Sequence, residues 1–128
     1  MSARSNYLEA ALFNEVLRAT NYAAPATVYV GLFTSDPTDA GSGTEVSGGA
    51  YARQAVTFGA PTDGAGSNSA AVTFPQATAN WGTVSHFGIF DAATAGNLLL
   101  HGQLTASKTV NTGDVFTFPT GQLTVTFA

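Results

Sequence analysis

From Asn6 to Ala19 the apolar positions Leu8, Ala11, Leu12, Val16 and Ala19 recur at intervals of three and four, the spacing that gathers them on one side of a helix. Asn6 with Glu9 three residues later resembles a capping box, in which the first side chain bonds an amide of the opening turn and the acid reaches back. The pattern predicts one helix over about 6–19. Asn21 and Pro25 end it, because proline has no amide hydrogen to donate and disfavours helical geometry in the residue before it. Such a helix either lies on a sheet or serves as an arm docking on a neighbouring subunit, and its apolar side suits both.

Beyond Pro25 the period shortens to two. The segments 27–34 (TVYVGLFT), 51–58 (YARQAVTF), 69–74 (SAAVTF), 82–90 (GTVSHFGIF), 97–104 (NLLLHGQL), 114–119 (DVFTFP) and 122–127 (QLTVTF) are short and rich in β-branched and aromatic residues. Each predicts a strand. Between them SDPTDAGSG, PTDGAGSN, DAATAGN, NTGD and PTG supply the Gly, Pro, Asn and Asp that reversals need. At the C-terminus Phe116, Phe118, Leu123, Val125 and Phe127 alternate with Thr117, Thr124 and Thr126 around PTG, which predicts a hairpin with one apolar and one Thr-lined face. The expected fold is mainly β: an antiparallel, jelly-roll-like β-sandwich of about seven strands with one N-terminal α-helix. No linker or repeat divides the chain, so 1–128 is expected to form a single domain.

Composition changes the picture of the surface. The chain has 128 residues, within the roughly 100–200 of one domain, and folding should remove about two-thirds of the unfolded chain's surface from water. It has no Cys, so neither disulfides nor a thiolate metal cage can supplement the core. Only 9% of residues are charged, against roughly 25% in ordinary domains. A neutral, Thr-rich exterior has few charges to desolvate when two surfaces meet, which favours a component of an assembly. Four basic residues (Arg4, Arg18, Arg53, Lys108) against eight acidic ones leave a net charge of −4 and no basic stripe for a phosphate backbone, so no nucleic-acid partner is expected. Glu9, Asn14, Glu15 and Arg18 interrupt the N-terminal segment as a signal peptide, and no run approaches the ~20 apolar residues of a membrane span. A soluble product assembled in a host cytoplasm, with no membrane partner, is the expectation.

Candidate chemistry concentrates in WGTVSHFGIFDAATAGNLLLHGQL (81–104), which holds Trp81 and both histidines. If the DAATAGN turn pairs Phe90 with about Leu98, the same register sets His86 opposite or diagonal to His101. Zinc normally takes three or four ligands, and the nearest acids in sequence, Asp91 and Asp114, have no fixed place beside that pair. No G-x-S-x-G elbow, Walker loop or G-x-G-x-x-G is present, so neither nucleophilic nor nucleotide chemistry has its usual frame. No enzyme activity, metal or cofactor is expected. The acidic, Gly-rich loop 35–49 carries Asp36, Asp39 and Glu45 in a spacing unlike an EF-hand, and reads as a turn-rich contact arm whose acids bond nearby amides. Arg53, in the following strand, is placed to pair with Glu45 or Asp36. Sugar recognition would need exposed rings from Trp81, Tyr7, Tyr22, Tyr29 or Tyr51, and a lone Trp at a strand start more often belongs to a core.

The strings LFTSDPTDAGSGTEVSGGAYARQ and WGTVSHFGIFDA, with YLEAALFNEVLRATNYAAPATVYVG before them and PTGQLTVTFA closing the chain, resemble small bacteriophage virion proteins commonly labelled tail-fibre or tail-associated proteins. The resemblance covers nearly the whole chain. It implies a structural, non-enzymatic role as a surface accessory, whether head decoration, cement or tail-associated, with no catalytic residues to carry over. Without heptads or fibrous repeats, a compact accessory suits the chain better than a long fibre shaft. The expected partners are further copies of itself, as a homotrimer, and the major capsid protein or tail proteins of the same phage. The expected contact residues are Asp36, Asp39, Glu45, Tyr51 and Arg53 around the loop, with Tyr7 and Leu8 on the helix. The alternative is a receptor- or glycan-binding module at a tail fibre or tip.

Overall fold

The computed structural model of the chain describes residues 2–127. Along them follow β1 (Ser2–Arg4), α1 (Asn6–Leu17), β2 (Val28–Phe33), β3 (Gln54–Val56), β4 (Ala65–Ser67), β5 (Val72–Thr73), β6 (Gly82–Phe90), β7 (Leu98–Val110), β8 (Thr117–Phe118) and β9 (Thr124–Thr126). Each segment with two-residue periodicity holds a strand. β1 and β4 come in addition: one is a polar triplet ahead of the helix, and the other lies inside the Gly-rich PTDGAGSN segment. Neither has an apolar alternation to reveal it.

All pairings are antiparallel. The main sheet runs β1-β7-β6-β2-β3, and two ribbons, β4-β9 and β5-β8, stand apart from it. Val30, Leu32, Phe87, Ile89 and Leu100 of the sheet share one apolar cluster with Val72, Phe118, Leu123 and Val125 of the ribbon segments, which gives the mainly β, sandwich-like arrangement that the periodicity predicts. Aromatic rings meet edge to face within it, Phe74 on Phe116 at 5.8 Å and Phe116 on Phe118 at 5.0 Å. Burying each such side chain contributes about 1.5–3 kcal/mol. Alternation turns the next residues, Phe33 and Phe90, to the opposite face of the sheet, where they form a second small cluster with Leu98.

The helix is capped by Ser5 rather than by an Asn6–Glu9 box. Ser5 has an extended backbone, and its Oγ accepts from the Leu8 amide at 3.1 Å and donates to the Leu98 carbonyl. The cap therefore ties the helix start to β7. Glu9 still lies in the first turn, where a negative charge suits the helix dipole. The helix stops at Leu17, short of the expected Ala19, which adopts a left-handed backbone with φ 53°.

The C-terminal hairpin is the expectation that the structure corrects. The chain does reverse at Pro119–Gln122, with Gln122 donating to the Pro119 carbonyl at 3.0 Å and Gly121 at φ 81°. Yet β8 pairs with β5 and β9 with β4, because Asn68 sits between the two arms. Only 1% exposed, it takes the bonds a hairpin partner would have made. Its Nδ2 donates to the Pro119 and Phe118 carbonyls at 3.0 and 3.4 Å, its Oδ1 accepts from the Leu123 amide at 2.9 Å, and its backbone amide donates to the Leu123 carbonyl at 3.2 Å. A polar side chain at this depth is tolerable because its donor and its acceptor atom are both bonded, Nδ2 also reaching the Ala70 carbonyl at 2.9 Å.

Asn68→Ala strands the Leu123 amide and removes the donor to three carbonyls, and should cost about 2–4 kcal/mol in urea unfolding. Asn68→Asp keeps the acceptor but faces the same carbonyls with a carboxylate, and should be destabilised as well. A loss under about 0.5 kcal/mol for Asn68→Ala would show that the arms hold together without it.

Candidate functional site

Three of the expected contact residues, Glu45, Tyr51 and Arg53, form one cluster beside β2, with the Tyr51 ring packed against the main core. Gly31 of β2 lies opposite Gly88 of β6, and the missing side chains leave a notch. A Cβ at Gly31 would come within 2.7 Å of Glu45 Oε2 and 3.0 Å of the Tyr51 hydroxyl; one at Gly88 would come within 2.9 Å of the Phe33 ring. Into the notch Tyr51 inserts its hydroxyl, which accepts from the Leu32 amide at 2.9 Å and donates to Glu45 Oε2 at 2.6 Å. Glu45 receives Arg53 in bidentate fashion, Nε and Nη2 each at 2.9 Å. Arg53 also donates to the Ala92 and Ala95 carbonyls at 3.1 and 2.7 Å and lies 3.5 Å over the Phe90 ring. One guanidinium thus clamps the end of loop 35–49 to the tip of the β6–β7 turn. Burial, followed by the bond to Glu45, pushes the Tyr51 phenol well above its ordinary range.

The β6–β7 register is as the turn chemistry predicts: Phe90 faces Leu98, Gly88 faces His101 and His86 faces Gln103, so the histidines are diagonal neighbours. The acids beside them come from elsewhere. His101 Nε2 donates to Asp39 at 2.8 Å, and its Nδ1 is 3.7 Å from Asp36, both from loop 35–49. Asp91 and Asp114 hold turns instead, through the amides of Asn97 and Asn111. His86 meets the Ser85 hydroxyl at 2.7 Å. Among the described residues no three His, Asp or Glu side chains converge on a metal-ion position.

The loop lies against the body of the protein rather than projecting from it. Its Asp39 carbonyl accepts the first amide of α1 at 2.9 Å, the Thr44 carbonyl accepts from Thr34 just past β2, the Val46 amide donates to Leu32 of β2, and Val46 enters the core. Asp36 bonds the Thr38 amide at 2.9 Å, as an acid in a turn does. Leu8 is buried in the core, whereas Tyr7 is exposed and meets Tyr22 edge to face at 6.5 Å. Trp81 is a core residue: it is 6% exposed, its Nε1 donates to the Gly49 carbonyl at 2.9 Å, and its ring packs on Tyr51. It offers no platform to a sugar. Outside the expected set, Phe13, Val16 and Leu17 stand exposed on α1. Phe13 and Leu17 are four apart and off the stripe that begins at Leu8, a signal the sequence does hold.

A family model described as podophage GP4 fiber I protein gp80 matches residues 3–126. The chain belongs to that family. No curated protein matches it. The gp80 family is one of phage fibre proteins, so the chain is a structural, virion-associated phage protein at that level. Its cluster of polar residues suits that role, since the bonds found there join one segment of the chain to another.

Tyr51 stays protonated in the folded protein where the phenol of an unfolded chain ionises, near 10.0. The unfolded state then holds fewer protons, so this contribution is complete below pH 10 and stability falls as pH rises above it, by up to about 1.4 kcal/mol per pH unit. Tyr51→Phe should cost about 1–3 kcal/mol at pH 7, because the Leu32 amide and Glu45 lose a partner, and should flatten that decline between pH 10 and 11. Equal slopes for the two proteins in urea unfolding would rule out Tyr51 as its source.

Proposed function

We propose that the chain is a non-enzymatic accessory subunit of a phage fibre, which self-associates as a homotrimer and adheres to tail or capsid proteins of its particle. The observation that carries this reading is the free side of α1. Phe13, Val16 and Leu17 are 56, 73 and 67% exposed, and they line one shallow groove with Leu12, Arg4 and Glu9. Large apolar side chains gathered on one face mark a surface made to be covered.

Magnitudes support an interface centred on the helix and extending past it. Covering the three side chains would contribute about 1.5–3 kcal/mol each, while association costs on the order of 4–15 kcal/mol in lost freedom. The helix is then the anchor, and the rest of the interface draws on an exterior that carries few charges to desolvate, since only 9% of the chain is charged. The non-enzymatic part rests on the polar clusters: Glu45, Tyr51, Arg53, His101 and Asp39 are all engaged in bonds that join chain segments.

Light scattering after gel filtration is expected to give the mass of three chains for the native protein. Phe13→Asp with Val16→Asp should give a monomer with unchanged circular dichroism, and particles assembled with this variant should carry little of it. A monomeric native protein, or a variant that keeps the trimer mass and full occupancy, would overturn the reading.

A further inference from the structure

A second surface, remote from α1 in sequence, is built differently. Between Val84–Lys108 and His86–Gln103 the β6–β7 pairing takes two steps on β6 and five on β7, so residues 104–107 loop out opposite Ser85. Bulges of this kind re-aim side chains and occur next to binding sites. Here the bulge forms one wall of a cavity of about 270 Å³, and Gln122–Thr124 form the other. Phe87, Phe116 and Phe118 reach its floor. Gln103, Gln122, Thr105, Thr124 and Lys108 stand around its rim.

The rim glutamines are uncommitted. Of the glutamines, Gln54 and Gln76 donate to backbone carbonyls, whereas Gln103 and Gln122 make no side-chain hydrogen bond among the described residues. Lys108 Nζ lies 5.7 Å from the Phe116 ring centre and has no carboxylate partner among the described residues. No acid lines the cavity. We infer that this groove binds a single saccharide ring, with a carboxylated ring favoured over a neutral one. Each carboxamide can donate and accept at once, which matches adjacent ring hydroxyls. The aromatic and aliphatic floor meets the C–H face of the ring, and Lys108 supplies the one charge. The volume falls below the roughly 300 Å³ at which drug-sized pockets begin, as befits one ring rather than a chain.

The test is an amide-detected NMR titration of the full chain with D-glucuronate, D-glucose and, as a simple anion, acetate. The side-chain amide signals of Gln103 and Gln122 should move with both sugars, those of Gln54 and Gln76 should stay, and acetate should move none. Gln103→Ala with Gln122→Ala should weaken glucuronate binding about tenfold, equivalent to about 1.4 kcal/mol. Both residues are exposed, so this variant should fold as the native chain does. Lys108→Gln should abolish the preference for glucuronate and leave glucose binding unchanged. The inference fails if the Gln103 and Gln122 signals stay put at about 50 mM of either sugar, a concentration roughly fifty times a dissociation constant of about 1 mM. It fails equally if acetate reproduces the shifts, or if the double variant binds as well as the native chain. The Phe13→Asp, Val16→Asp protein should titrate as the native one does, so this outcome and that of the trimer test are read separately.

Discussion

The contact between Arg53 and Glu45 over the Gly31–Gly88 notch is the constraint on which the outer face of the sheet depends. It joins β2, the end of loop 35–49 and the β6–β7 turn through one guanidinium and one carboxylate. An isolated carboxylate at this depth would be costly. Here Glu45 receives three donated bonds, and the cation finds two carbonyls and the Phe90 ring besides. The glycines make this possible, since a methyl group at either position would occupy the space of the polar side chains or of the Phe33 ring. With only 9% charged residues in the chain, one of its four cations is spent on this clamp.

Fastening on one face and exposure on another divide the molecule. Loop 35–49 carries the acids that looked most like outward contacts, yet its backbone caps α1 and its Val46 enters the core. The helix is held at its first turn by Ser5 and Leu8, while its later turns keep Phe13, Val16 and Leu17 in solvent. The rigid body is therefore secured by polar bonds to the loop, and the apolar side chains left over are those free to meet another surface.

Much of the strand pattern is legible because period-two alternation follows directly from which side chains a sheet can bury. The Phe90–Leu98 register is legible too, since Asp, Gly and Asn in the connecting segment leave little choice of where the chain turns. The C-terminal arms show the limit. Their alternation is real and their turn is real, but a residue 50 positions away, Asn68, occupies the place between them. Local pattern says that a strand exists and does not name its partner. The same holds for His101, whose carboxylate partner Asp39 lies 62 residues away, while Asp91 and Asp114, nearer in sequence, close turns.

The sequence by itself determined the β class, the one helix, the turns, the scarcity of charge and the resemblance to phage virion proteins, because each is a property of neighbouring residues or of composition. Tertiary structure alone decided which carboxylate meets which cation, that the 104–107 segment bulges into a groove wall, and that one side of α1 stays uncovered. These depend on contacts between residues far apart in the chain, whose energies arise only once the backbone has closed and so leave no periodic trace in the order of residues.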